Sequence, residues 1–189
     1  MNGEYYKTKE TVDEYIKLSK GVNGSDLIER LKQIVKPNAQ ILELGSGPGE
    51  DWELLSKTYT VTGSDNSQEF LDRLILKYPI GGFQLIDAVT LQTDKTFDGI
   101  YANKVMHHLN DAELSDSIKR QIEILNPNGI ICHSFWKGEG SEVFKGLFVN
   151  YHDKATIELF YAPHFEILTL ETYKEFDADD SLLLIARKK

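Results

Sequence analysis

Ile41-Leu42-Glu43-Leu44-Gly45-Ser46-Gly47-Pro48-Gly49 decides how the rest of the chain is read. A short apolar run ending in closely spaced glycines predicts a buried strand that turns sharply into a helix, here over 50–57. A second strand over 59–63 then leads to Asp65, twenty positions after Gly45. In open α/β sheets, the turn between the first strand and its helix is where nucleotides bind.

Outward from this unit the alternation repeats. Helix 67–77, strands 83–86 and 97–102, and an amphipathic helix over 111–125 follow, with Leu114, Ile118, Ile122 and Leu125 on one face. Asn126-Pro127-Asn128-Gly129 predicts a turn into a strand over 130–135. Segment 142–160 reads as partly helical, interrupted at 150–153. Strands 164–176 and 181–186, joined by Asp177-Ala178-Asp179-Asp180, are close enough in sequence to require antiparallel pairing. Toward the N-terminus, residues 1–36 read as two helices broken at 21–24, with Ser25 capping the second. About seven strands result, in an α/β fold with a mainly parallel sheet.

Composition narrows the function classes. The 189 residues include 21 basic and 30 acidic side chains, a formal net charge of −9, which argues against a broad nucleic-acid or anionic-membrane surface. Hydrophobic residues at 41 % exclude wholesale disorder. The single cysteine, Cys132, cannot form an internal disulfide, and no Cys/His set has zinc spacing, so no metal is expected. The first residues lack a signal-peptide pattern, and no apolar run approaches the ~18 residues of a membrane span. A cytoplasmic protein is the consistent expectation; its oligomeric state is not legible.

The glycine loop departs from the dinucleotide fingerprint. That pattern wants Gly or Ala at position 50, where this chain has Glu50. Glu50 and Asp51 fill the first helical turn with the negative charge a pyrophosphate would otherwise supply, and Pro48 removes a donor. The same facts weaken a P-loop reading, because Gly-Lys-Ser/Thr is missing. Asp65 is placed to accept ribose hydroxyls, and Asp87-Ala88 puts a further carboxylate at the same sheet edge. These residues describe a nucleoside site without a phosphate site.

The series Glu43 to Gly49, Asp65, Asp87 and Phe97-Asp98-Gly99-Ile100-Tyr101-Ala102-Asn103-Lys104-Val105-Met106-His107-His108-Leu109 resembles class I S-adenosylmethionine-dependent methyltransferases. Ile124-Leu125-Asn126-Pro127-Asn128-Gly129 is similar to that family's entry to its fifth strand. The resemblance covers about residues 38–135. It implies a Rossmann-like seven-stranded sheet with helices on both faces and a C-terminal antiparallel hairpin. It divides a single methyltransferase domain, 1–189, into an N-terminal helical cap (1–37), a cofactor-binding core (38–135) and a substrate-side segment with the terminal strands (136–189). The implied cofactor is S-adenosyl-L-methionine, held by Glu43, Gly45, Ser46, Gly47, Gly49, Asp65, Asn66, Asp87, Ala88 and Asn103. The implied partner is a small-molecule methyl acceptor, with His107, His108 and Asn103 as catalytic candidates.

Other readings stand beside these. Asp65 could instead cap the helix near Ser67, Asp87 could serve its own turn, and the two histidines could pack and cap a helix entrance. His133 faces either core or cleft, and Cys132 reads as a small buried hydrophobe. Trp136 and Lys137 are candidates for the acceptor pocket, Tyr5, Tyr6 and Tyr15 for a lid, and Asn150, Tyr151 and His152 for substrate contact. The acidic stretch 166–180 reads as a solvated face and turn. Competing functions are a non-catalytic S-adenosylmethionine-binding or interaction protein, a tRNA-directed methyltransferase and a nicotinamide dehydrogenase.

Overall fold

The computed structural model describes residues 6–189. Along the chain run α1 (Lys9–Leu18), α2 (Ser25–Lys32), β1 (Gln40–Leu44), α3 (Glu50–Ser56), β2 (Thr60–Asp65), α4 (Gln68–Lys77), β3 (Gly82–Leu85) and β4 (Phe97–Ala102). After a 3₁₀ turn at Met106–His108 come α5 (Asp111–Ile124), β5 (Leu125–Trp136), β6 (Ser141–Phe144), β7 (Leu147–Asn150), α6 (Lys154–Tyr161), β8 (Phe165–Tyr173) and β9 (Ser181–Lys188).

β1 shows why the sheet is covered on both sides. Its side chains alternate, so Ile41 enters a cluster with Leu27, Leu31 and Leu55 of α2 and α3, while Leu42 and Leu44 enter another with Leu114 and Ile118 of α5. β9 divides in the same way, with Leu182 and Leu184 on the α5 side and Leu183 and Ile185 on the other. Helices on both faces let each of these strands place apolar side chains on both sides.

The seven-stranded sheet has the order β3-β2-β1-β4-β5-β9-β8. Pairing is parallel from β3 through β5, and antiparallel where β9 joins β5 and β8. The direction of winding reverses between β1 and β4, and the crevice beyond the carboxyl ends of these strands is the place where such sheets take ligands.

Several expectations are corrected. The described residues form nine strands, because 141–150 is a β6–β7 hairpin rather than helix. Lys145 (φ 50°) and Gly146 (φ 80°) supply the two left-handed residues of its tight turn. Residues 126–129 lie within β5 as an irregularity: Phe97 pairs with Leu125, but Gly99 pairs with Ile130. Gly24, not Ser25, occupies the cap position of α2, and no side chain caps that helix.

Candidate functional site

β1 ends in a loop that is folded by its own buried polar groups. Ser46 Oγ donates to Glu43 Oε2 (2.5 Å) and accepts from the Ser64 N–H (3.1 Å), tying the loop to β2. Burial, then the nearby Asp51 charge, pushes the Glu43 carboxyl well above the usual carboxylate range. Glu43 and Ser46 therefore shape the loop from behind and do not line the cavity in front of it.

The glycines divide by role. Gly45 (φ 65°) and Gly47 (φ 47°) line the cavity. Gly49 (φ 85°) does not; it is the left-handed residue that starts α3, and a Cβ there would lie 2.6 Å from Leu74 Cδ2. Its constraint is packing between α3 and α4.

Asp65 ends β2 inside the cavity wall. Its Oδ2 accepts from the Gly47 N–H (3.0 Å) and its Oδ1 from the Ser67 N–H (2.9 Å), so it braces the loop and the start of α4 together. Ser67 itself caps α4, accepting from the Phe70 N–H. Burial raises the Asp65 carboxyl to about 6, against the lowering effect of these backbone donors. Asn66, Asp87 and Ala88 continue the lining. Among the described residues the side-chain hydrogen bonds of Asp87 all go to Oδ1, from the Val89 N–H, the Thr90 N–H and the Thr90 hydroxyl.

At the end of β4, Asn103 is held at both ends of its amide. Nδ2 donates to Asp51 Oδ2 (3.0 Å), and Oδ1 accepts from Ser134 (2.6 Å). Asp51 also accepts from Tyr101 Oη (2.8 Å) and the Gly24 N–H (2.6 Å), so this carboxylate is turned inward as a hub. Glu50, its neighbour, faces Lys77 at 3.9 Å. Only Glu50 remains as the outward charge expected of the pair.

His108 lines the cavity and His107 does not. His108 Nδ1 lies 2.8 Å from the Phe148 carbonyl of β7. A carbonyl only accepts, so Nδ1 carries the proton and the neutral ring keeps its lone pair on Nε2. Burial lowers the His108 pKa, partly countered by that bond. His107 is buried with Nδ1 unpaired, and burial followed by His108, Lys104 and His152 pushes its pKa well down. Its ring packs against those of His108 and Trp136.

Aromatic side chains close the cavity from the N-terminal side. Tyr6 and Tyr15 meet edge to face at 5.2 Å, each 5.9 Å from Phe70, and Tyr6 is 6.3 Å from His108. α1 is fastened there by Asp13–Arg73 (2.6 Å) to α4 and by Glu14–Lys145 (2.5 Å) to the β6–β7 hairpin. Tyr5 lies outside the described residues.

Other candidates lie elsewhere. His133 shares its side of β5 with Ile131 and Phe135, and its Nε2 pairs with Gln121 of α5 (2.9 Å) in the core. Cys132 is buried on the opposite side, its thiol pushed up by burial. Trp136 stacks under the Lys104 ammonium (3.6 Å to the ring centre), and Lys137 bridges to His152. Asn150 binds Asp111, Tyr151 binds Glu142, and His152 is buried without a partner on either nitrogen. None of these lines the cavity. Within 166–180, Glu166 and Glu171 pair with Arg187 and Arg30, and Asp180 accepts three backbone N–H groups of its turn. Among the described residues no group of His, Cys, Asp and Glu is arranged to hold a metal.

Residues 41–129 match the family model described as a methyltransferase domain. Over those residues the chain carries a methyltransferase domain. The chain is similar to trans-aconitate 2-methyltransferases. It is 34 % identical over 109 residues to that of Variovorax paradoxus, covering 55 % of this chain and 41 % of the relative. With that of Delftia acidovorans it is 33 % identical over 98 residues, or 49 % and 36 %. The chain thus spans about two fifths of the curated relatives it matches.

Solved methyltransferases share the fold over nearly the whole chain. The Burkholderia thailandensis 1,6-didemethyltoxoflavin-N1-methyltransferase, bound to 1,6-didemethyltoxoflavin and S-adenosylhomocysteine, superposes with TM-score 0.78 at 18 % identity, covering 95 % of this chain and 84 % of that one. An S-adenosylmethionine-dependent methyltransferase from Clostridium acetobutylicum gives 0.77 at 13 % identity, covering 95 % and 98 %.

The methyltransferase domain contributes lining that its sequence did not announce. Lys104, Val105, Leu109 and Glu113 flank the cavity from the 3₁₀ turn and the first turn of α5. Their only signal was position: they follow the carboxyl end of β4.

Proposed function

We propose that the chain binds S-adenosyl-L-methionine in this cleft and transfers its methyl group to a small-molecule acceptor. The observation that carries the reading is Asp65: a buried carboxylate in the wall of the cavity, braced against Gly47 and still able to accept ribose hydroxyls. The residues present fit the cofactor. Gly45 and Gly47 let backbone approach its methionine portion, Asp87 Oδ2 and Ala88 suit the adenine edge, and Asn103 faces the methionyl group. Glu43, Ser46 and Gly49 support the loop from behind.

When bound, S-adenosylmethionine supplies a sulfonium methyl as the electrophile. Asp65, Asp87 and the Gly45–Gly47 loop would hold the cofactor, whose methyl carbon would be supplied to an acceptor atom. Aligning these atoms and excluding water is the protein's main contribution. Tyr6 and Tyr15 cover the cavity, and Asn103 is prevented from turning by Asp51 and Ser134. Where the acceptor must lose a proton, His108 Nε2 takes it. His107 supports its neighbour by packing.

The reading extends to the whole 1–189 chain, with 1–37 as cap, 38–135 as cofactor core and 136–189 as the substrate-side segment. No helix among the described residues is long and apolar enough to cross a membrane. We place the protein in the cytoplasm, where a lone thiol such as Cys132 stays reduced.

Calorimetric titration and labelled methyl transfer to a metabolite extract test the proposal. Expected are binding of S-adenosylmethionine, no binding of NAD, and a labelled small product lost in Asp65→Ala. Cofactor binding without any product would favour a non-catalytic binding protein; unaltered cofactor affinity in Asp65→Ala would sink the site.

A further inference from the structure

Lys104 follows Asn103 just beyond the carboxyl end of β4 and adopts a left-handed backbone, φ 56°, which glycine or asparagine would take at lower cost. This kink separates two residues of the cavity wall. Before it stands Asn103; after it Val105 packs on the glycine loop, where a Cβ on Gly45 would lie 2.5 Å from Val105 Cγ2. The β4–β5 ladder has already ended at Ala102 and His133, so strand pairing no longer fixes the chain here.

Lys104 supplies the fixing instead. Its N–H donates to Ser134 Oγ (2.9 Å), and Ser134 Oγ donates to Asn103 Oδ1 (2.6 Å). Its ammonium donates to the Phe135 carbonyl (2.9 Å) and to Ser181 Oγ (2.6 Å). The centres of the Trp136 and Tyr173 rings lie 3.6 and 5.3 Å from that ammonium. One residue therefore ties the end of β4 to the ends of β5 and β8 and to the start of β9. Its side-chain partners are a carbonyl, a hydroxyl and two rings, with no carboxylate in contact among the described residues. Burial accordingly pulls the amine down to about 7, against the raising effect of Glu175 and Asp180. An ammonium drawn out of water in this way is held in place, unlike one that extends to solvent.

We infer that Lys104 is a positioning residue of the methyl-transfer site: by clamping the turn after β4 to β5 and β9, it keeps Ser134 on Asn103 and sets how the Asn103 amide faces the cavity. This rests on the methyltransferase reading above, in which Asn103 faces the methionyl group. The ammonium acts through Asn103, because none of the groups that hold it lines the cavity. Its effect is confined to one end of the site. Asp65 and Asp87, at the nucleoside end, are held by their own backbone donors and share no partner with the clamp.

The test compares two probes by calorimetry on the full chain. S-adenosylhomocysteine carries the amino-acid portion; 5′-methylthioadenosine is the nucleoside thioether without it. In Lys104→Met, S-adenosylhomocysteine is expected to bind about tenfold more weakly, with methylthioadenosine within about twofold of wild type. Partial unfolding would weaken both probes alike, so the ratio of affinities reads position and not stability. Asn103→Ala should change that ratio in the same direction, and adding Lys104→Met to it should shift the ratio by no more than about twofold further. Ser181→Ala removes one partner of the ammonium without touching the cavity, and is expected to move the ratio the same way by about threefold. It keeps the clamp testable where Lys104→Met does not fold. A wild-type ratio in these variants, or a further loss of about tenfold in the double variant, overturns the role of Lys104. Failure of the wild-type chain to bind S-adenosylhomocysteine overturns the methyltransferase reading instead.

Discussion

At Asp65 one carboxylate both organises the loop and awaits a ligand, and its protonation state links the two tasks. Accepting two hydroxyls needs the ionised form, whereas burial holds the free carboxyl at about 6. Binding therefore draws Asp65 toward ionisation, so affinity rises as pH rises through that value and levels off above it. Below it, affinity falls by up to about tenfold per pH unit. Calorimetry with S-adenosylhomocysteine is expected to show roughly tenfold weaker binding near pH 5 than near pH 7.5. Asp65→Asn should bind weakly at both, with this step flattened.

Two glycines of the same loop give a second prediction at this scale. Gly49→Ala forces a Cβ against Leu74 at φ 85°, so a loss of about 2 kcal/mol in stability is expected, with little direct effect on ligand contact. Gly47→Ala meets nothing nearer than 3.9 Å in the protein, so strain alone, about 1 kcal/mol, is expected. Its larger effect falls on cofactor binding, because the methyl group occupies the cavity. Urea denaturation and calorimetry on both variants separate the two roles; matching profiles would contradict the division.

At the scale of elements, periodicity was informative wherever strand and helix patterns differ. β1, β2, β4 and α5 sit within a residue or two of their sequence expectations because each has a single apolar pattern and a clear stop. The β6–β7 hairpin was misread because Val143, Phe144, Leu147 and Phe148 fall at i, i+1, i+4 and i+5, a helical stripe as well as two cross-strand pairs. Only the Lys145-Gly146 turn distinguishes them. α5 begins with a reciprocal cap, in which Asn110 accepts from the Glu113 N–H and Glu113 reaches back to the Asn110 N–H. Asn110→Ala should cost about 1 kcal/mol in urea denaturation. It should also free Glu113 at the cavity edge, with ligand affinity changing more than in a cap variant elsewhere, such as Asp153→Ala in α6.

For the whole molecule, the cavity residues at the carboxyl ends of the parallel strands were legible because their motifs lie at strand ends in one sheet, so chain order nearly fixes position. Tyr6 and Tyr15 stood in the sequence as lid candidates, but the contacts that hold them over the cavity were not legible. Tyr6 and Tyr15 reach the cavity only because α1 docks on α4 through Asp13–Arg73 and on the hairpin through Lys145, and those contacts span long stretches of sequence. The role of His108 likewise depends on Phe148, forty residues away.

The same long-range packing leaves its mark on acid stability. His133 is sealed between β5, Gln121 and Tyr161, and burial lowers its pKa to about 3. The unfolded chain protonates this imidazole near ~6.5, whereas the folded one resists until far lower pH. Between those values the unfolded state binds more protons, so the stabilisation present above pH ~6.5 is lost as pH falls toward 3. The slope from this residue is about 1.4 kcal/mol per pH unit. Asp65 and Glu43, with raised pKa values, work in the opposite direction over part of that range. Their contribution cancels when wild type is compared with His133→Asn, which removes the titrating ring and keeps an amide for Gln121. Urea denaturation across pH 4.5 to 7.5 is expected to show wild type losing stability more steeply than the variant, by about that slope. Parallel curves would mean that water reaches His133 and that the core beneath α5 is open to it.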